Sequence, residues 1–162
     1  MDQNHLPTYM IRTAYREDWQ PAMALAWKTF LKYEAPVYTQ EGIQNFREFI
    51  TDTTLYRMFI VGSYQMFVAV VNSQIVGMLT VRSVSHISLL FVDEAYHKQG
   101  IARGLVQNLC DFLLQEVGGI DKVTVNAAPC ATGFYHKMGF CDIGEETIKD
   151  GITFTPMAKK LM

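Results

Sequence analysis

Ile87-Ser88-Leu89-Leu90-Phe91-Val92-Asp93-Glu94-Ala95-Tyr96-His97-Lys98-Gln99-Gly100-Ile101-Ala102-Arg103-Gly104-Leu105 runs from an apolar, β-prone segment through a short polar turn into the glycine-bearing start of an amphipathic helix. Ile101, Leu105, Leu109, Phe112 and Leu113 recur at helical spacing, the pattern of a helix that buries one face against a sheet. The first amides of a helix have no partner within it, and the aligned peptide dipoles leave that end partly positive, so anions settle there. Gly100, Ala102 and Gly104 keep the surface beside those amides bare, which lets an extended phosphate group reach the main chain. The stretch reads as strand, turn and helix with a diphosphate site at the helix start. Taken alone, the same pattern also fits a connection that holds no ligand.

Two other nucleotide sites fail on the same residues. A P-loop requires Lys and then Ser or Thr after its last glycine, whereas Gly104 is followed by Leu105 and Val106. A dinucleotide fingerprint requires G-x-G-x-x-G and a strand-end acid about 20 residues on, and neither is present.

A second block lies downstream: Lys122-Val123-Thr124-Val125-Asn126-Ala127-Ala128-Pro129, then Ala131-Thr132-Gly133-Phe134-Tyr135-His136-Lys137-Met138-Gly139-Phe140. In this order, with the first helix between them, the two blocks resemble the GNAT N-acetyltransferase superfamily, and the resemblance extends from about residue 9 to residue 162. In that family the positions of His97-Lys98-Gln99-Gly100-Ile101-Ala102 read Gln or Arg, two variable residues, Gly, one variable residue, then Gly or Ala, and bind the pyrophosphate of acetyl-CoA. Gly100 and Ala102 match, and His97 departs from the usual Gln or Arg. The second block is similar to the family's second CoA-side strand and the following helix, with its Phe-Tyr-x-x-x-Gly-Phe ending.

Outward from these blocks, 162 residues with 49% hydrophobic content form one ordinary globular unit, expected as a single acetyl-CoA-binding domain over residues 1–162. Net charge is −2 with Lys and Arg scattered, so no nucleic acid is expected as a partner. The start, Met1-Asp2-Gln3-Asn4-His5-Leu6-Pro7, has neither the basic nor the apolar stretch of a secretory signal. No apolar run reaches the roughly 18 residues of a membrane span, because Asn72, Ser73, Gln74 and Arg82 interrupt the most hydrophobic region. Cys110, Cys130 and Cys141 are odd in number and lack metal-ligand spacing, so no metal is expected and a reducing cytoplasm is the expected home.

Strands are expected over 9–14, 66–71, 75–82, 86–92, 122–126, 140–145 and 153–159, with turns at Asn72-Ser73 and Asp150-Gly151. Helices are expected from an Asp18 cap to about residue 33, over 41–51, from Gly100 onward and around Phe134, while 55–60 reads equally as helix or strand. Gly77 marks a bulge or a close backbone approach. The order β-α-α-β-β-β-α-β-α-β-β is α/β, and the resemblance implies a GNAT-like mixed, mostly antiparallel twisted sheet flanked by helices on both faces.

Acetyl transfer to an amine needs a neutral nucleophile, and baring the lone pair of a lysine-like ammonium at pH 7 costs about 4 to 5 kcal/mol. The departing thiolate needs a proton donor. The resemblance implies Tyr135 as that donor; its ring could instead simply pack. His86, opening its strand, has the right intrinsic pKa for a base, though a solvent-exposed strand-start histidine fits the sequence as well. Main-chain amides near Phe91 and Val92 would face the acetyl oxygen as it gains charge.

The cofactor side implied by the resemblance comprises Phe91, Val92, His97, Lys98, Gln99, Gly100, Ile101, Ala102, Arg103, Gly104, Asn126 and Phe134. Its acceptor side comprises Tyr33, Glu34 and Tyr38, with Glu34 and Glu41 set to attract a cationic substrate or relay protons. A covalent intermediate on Cys130 has no visible His and acid partners. The co-substrate expected is acetyl-CoA, and the partner a small-molecule or peptide amine; the oligomeric state, homodimer included, is open. A non-catalytic acyl-CoA-binding regulatory module and an unliganded structural domain are the competing readings.

Overall fold

The computed structural model describes residues 8–161, so the stretch Met1–Pro7 read above for a secretory signal lies outside the described residues. The chain runs β1 (Met10–Thr13), α1 (Trp19–Tyr33), α2 (Gln40–Ile50), α3 (Thr53–Ile60), β2 (Gln65–Val71), β3 (Gln74–Arg82), β4 (His86–Val92), α4 (Ile101–Phe112), β5 (Lys122–Ala127), α5 (Thr132–Lys137), β6 (Cys141–Asp142), β7 (Thr147–Lys149) and β8 (Ile152–Lys160). The strands form one sheet in the order β1-β2-β3-β4-β5-β8-β6, with β7 paired to β8. Every pairing is antiparallel except that of β4 with β5.

The middle strands are apolar on both faces because both are covered. Phe67, Ala69 and Val71 of β2 pack with Ile101, Leu105 and Leu109 of α4, while Met66 and Val68 face Phe30 of α1 and Phe46 of α2. A face-to-face stack of Phe30 on Phe46, centroids 3.8 Å apart, and the edge-on contact of Phe46 with Phe91 at 6.0 Å lock α1 and α2 onto β4. No helix among the described residues is long and apolar enough to cross a membrane.

Three expectations change. The ambiguous stretch 55–60 belongs to a helix, α3, because Asp52 caps it by accepting from Thr54 N–H at 2.8 Å. Asp18 makes no side-chain cap for α1: its carboxylate takes Arg12 Nη1 at 2.6 Å and Tyr15 N–H at 2.6 Å, tying β1 to the start of α1. The last two expected strands become three, since 140–145 pairs only at Cys141–Asp142 and Thr147–Lys149 forms a separate arm against β8.

Two irregularities position the site. Strands β4 and β5 pair only at His86↔Thr124 and Ile87↔Val125 and then part. Just there the β3–β4 register moves from Thr80↔Leu89 to Val81↔Ile87, which leaves Ser88 as the extra residue of a β-bulge. Tyr64 anchors that bulge: its hydroxyl donates to Ser88 Oγ at 3.0 Å and lies 2.6 Å from Thr80 Oγ1.

Candidate active site

Where β4 and β5 part, backbone groups of β4 lose their partners on that side. Asp93 N–H donates to Val76 O at 2.7 Å, so by the alternation of an antiparallel ladder Phe91 bonds β3 and the amides of Leu90 and Val92 face the gap. Phe91, expected to supply an amide, contributes its ring to the cavity instead. That cavity, of about 730 Å³, opens at the gap between α1, α2 and the β7–β8 arm, and includes His86, Glu34, Tyr38, Asn126 and Tyr135 in its walls.

At the end of β4 the turn leads to α4. Lys98 (φ 63°) and Gly100 (φ 80°) both adopt the left-handed conformation, and Gly100 caps the helix. The first α4 bond runs from Gly104 N–H to Gly100 O at 2.9 Å, so the amides of Ile101, Ala102 and Arg103 have no partner within the helix. No acidic residue stands in the first turn of α4, and the exposed cations Lys98 and Arg103 flank it. This donor set fits a diphosphate. Gln99 buries an unpartnered Oε1 beside it.

Two residues of this segment do other work. A Cβ on Gly104 would stand 3.0 Å from Ile11 Cδ1 and 3.1 Å from the Tyr9 hydroxyl, so its bareness seats β1 against α4 rather than clearing room for a ligand. The His97 ring turns back, with Nε2 2.7 Å from Val92 O, and contacts the Tyr33 ring at 5.3 Å. Lys28 pairs with Asp93 at 3.2 Å and Lys32 with Glu94, so three side chains of α1 fasten the β4–α4 turn. The Ala95 amide, and then Lys28, hold Asp93 below the usual carboxylate range against the effect of burial.

The titratable groups gather on the acceptor side. Glu34 accepts from the Tyr38 hydroxyl at 3.2 Å, and burial lifts its carboxyl to about 7, the hydrogen bond pulling only partly back. The Tyr135 phenol is pushed well above its ordinary value by burial and by the nearby Glu34 and Cys130, so it stays protonated. Burial and Arg82 lower His86, whose Nδ1 lies 2.8 Å from Thr124 Oγ1, so the imidazole is neutral at pH 7 and able to accept a proton. Desolvation and Glu34 raise Cys130, which keeps it a thiol and a poor nucleophile.

Of the residues singled out in the sequence, the cavity walls unite Glu34, Tyr38, Glu41, His86, Phe91, Asn126 and Tyr135. Tyr33 stands apart against His97, and Phe134 packs edge-on to Tyr135 at 5.1 Å. The sequence marks Ser88 and Leu90 only as strand residues, Gly151 only as a turn residue and Asn45 not at all, because their further roles arise from strand pairing and long-range contact. Among the described residues no cluster of three or more His, Cys, Asp or Glu could hold a metal ion.

A mixed sheet parted between its parallel strands, with helices on both faces, has the fold of solved N-acetyltransferase structures. The chain belongs to the GNAT acetyltransferase family: the family described as Acetyltransferase (GNAT) domain matches residues 34–161. The structure is similar to a GCN5-related N-acetyltransferase from Rhodopseudomonas palustris, with TM-score 0.79 and 20% identity over 97% of this chain and 99% of that one. It is also similar to the PaiA N-acetyltransferase of Thermoplasma acidophilum in complex with coenzyme A, with TM-score 0.76 and 20% identity over 94% and 99% of the two chains. In sequence it is 29% identical over 85 residues to the uncharacterized N-acetyltransferase YafP of Escherichia coli K12, covering 52% of this chain. The chain spans about half the length of that relative, 51%.

Proposed function

We propose that the chain is an acetyl-CoA-dependent N-acetyltransferase that moves an acetyl group to a primary amine by direct attack in a ternary complex. The observation that carries this reading is the parted β4–β5 pair, with His86, Glu34 and Tyr135 in the walls of the cavity at the gap and the free amides of α4 at the end of β4. Coenzyme-bound PaiA, of the same fold, supports the choice of co-substrate.

In this reading the Ile101, Ala102 and Arg103 amides hold the diphosphate, and the pantetheine arm pairs with β4 along the gap. The ammonium of the acceptor is drawn to Glu34 and gives its proton to His86 Nε2, which is free when Nδ1–H donates to Thr124. The amine nitrogen then attacks the thioester carbonyl. The amide of Leu90, the one farther from the diphosphate end, receives the growing negative charge on oxygen, while that of Val92 pairs with the pantetheine arm. As the C–S bond breaks, Tyr135 gives its proton to the sulfur and recovers one from the nitrogen, whose second proton leaves as the amide forms, so that free thiol and the neutral N-acetyl product remain.

Thiol release on mixing the protein with acetyl-CoA and a panel of primary amines tests the scheme. Release above the amine-free background is the expected result, and none with any amine would refute it. One feature favours a second reading, a non-catalytic acyl-CoA-binding module: the His97 ring is committed to Val92 O rather than to a phosphate. Such a module would bind coenzyme A in calorimetry and release no thiol.

A further inference from the structure

The outer side of the cavity is bridged. At the tip of the β7–β8 arm, Asp150 (φ 53°) and Gly151 (φ 80°) form a left-handed turn that lies on the first turn of α2. Thr39 N–H donates to Gly151 O at 3.2 Å and Asn45 Nδ2 to Asp150 O at 3.0 Å. The two backbones touch: a Cβ on Gly42 would stand 2.2 Å from Gly151 O, and one on Gly151 would stand 2.4 Å from Gly42 N. Both sides of the contact also face inward, since Glu41 and Asn45 of α2 and Lys149 and Ile152 of the arm line the cavity.

From this closure, and resting on the acetyltransferase reading above, we propose that the acceptor is a small free primary monoamine with a short apolar or aromatic body, and that a lysine within a protein chain is excluded. A polypeptide laid across the site requires a trough open at both ends, and the bridge joins the two elements that would be its banks. The charge of the lining is nearly balanced: Glu34, Glu41 and Asp150 against Arg82 and Lys149. A polycation is held by an excess of carboxylates, which this wall lacks. Rings do line it, Phe46, Phe49, Phe91 and Phe154, and they match an apolar body. The single amine of such a substrate is met by Glu34.

The test compares 2-phenylethylamine, spermidine and a peptide of about twelve residues, with capped termini and one internal lysine, in the thiol-release assay with acetyl-CoA and the full chain. The expected kcat/KM for phenylethylamine exceeds both others by about 50-fold or more, the scale on which an apolar pocket discriminates. Equal use of the peptide or of spermidine overturns the inference and leaves the acetyltransferase reading standing. Absence of release with every amine removes both. Two bridge variants are tested in parallel: Gly42→Val, which forces Gly151 away, and the milder Asn45→Ala, which removes one hydrogen bond and is expected to fold. Either raises the peptide's rate relative to phenylethylamine; selectivity unchanged in both refutes the bridge as the filter.

Discussion

Replacing Glu34 with Gln should make the protein more stable in base and not in acid. Burial places the Glu34 carboxyl at about 7, against 4.5 for an ordinary glutamate, even with the Tyr38 hydroxyl donating to it. Because the folded value is raised, the stabilising contribution of the acid form is complete below about pH 4.5 and is lost as pH rises through about 7. Above that, the folded chain holds an ion where it favours the neutral acid. The interval corresponds to about 3 kcal/mol, and because Glu34 keeps some contact with water we expect about 2 kcal/mol. Gln preserves size and can accept from Tyr38, yet never ionises. Wild type should therefore lose about 2 kcal/mol relative to Glu34→Gln between pH 5 and pH 9, or about 4 to 8 °C in Tm for a chain of this length. Thermal and urea melts of both proteins at pH 5, 7 and 9 measure it. Parallel pH profiles, or a wild type that gains on the variant as pH rises, would refute the reasoning. In the acetylation assay the same carboxylate predicts kcat/KM for an ammonium acceptor that rises through about pH 7 in wild type, a limb missing from the variant.

Three further substitutions probe separate parts of the scheme. Tyr135→Phe should lower kcat by about 10- to 100-fold with the coenzyme Kd little changed; unchanged turnover would remove its acid role. Ala102→Glu puts a carboxylate among the free amides of α4 and should weaken coenzyme A by about 100-fold or more in calorimetry, whereas unaltered affinity would put the diphosphate elsewhere. Asp18→Asn strips the charge from the part-buried pair with Arg12 and should cost about 2 to 3 kcal/mol of unfolding free energy near pH 7; the Asp18 carboxyl is held below its ordinary value, so the gap to wild type should narrow as pH falls below the usual carboxylate range, and a gap that does not narrow would contradict the ion-pair account.

The segment 87–105 was legible because two periodicities meet in it, an apolar run and then a helical repeat, and both are properties of neighbouring residues. The same holds for α1, whose start was found although the role of Asp18 was not: a carboxylate three residues after Tyr15 can cap forward or fold back, and Arg12 decides for the latter. The helix α3 is only eight residues, too short for its apolar spacing to separate the two periods. At the end of α1 each residue turns the chain by about 100°, so Glu34 reaches the cavity while Tyr33 swings to His97. Gly104 shows how a small residue misleads: the sequence displays its lack of a side chain but not Tyr9 and Ile11, which fill the space. The hairpin turns at Asn72-Ser73 and Asp150-Gly151 were legible, but pairing between distant strands was not. Neither the parting of β4 from β5, nor the extra residue Ser88, nor the contact of Gly42 with Gly151 has any local signature.

The two-pair junction between β4 and β5 has a mechanical meaning beyond the room it creates. It divides the sheet into two plates joined by a short seam, with the Leu90 and Val92 amides as open half-rungs on one lip. A guest whose amides complete those rungs acts as mortar, so filling the gap and stiffening the protein become a single event. Hydrogen exchange at Leu90 and Val92 should then slow in step with coenzyme occupancy, while the interior of α1 and β2 exchanges as before.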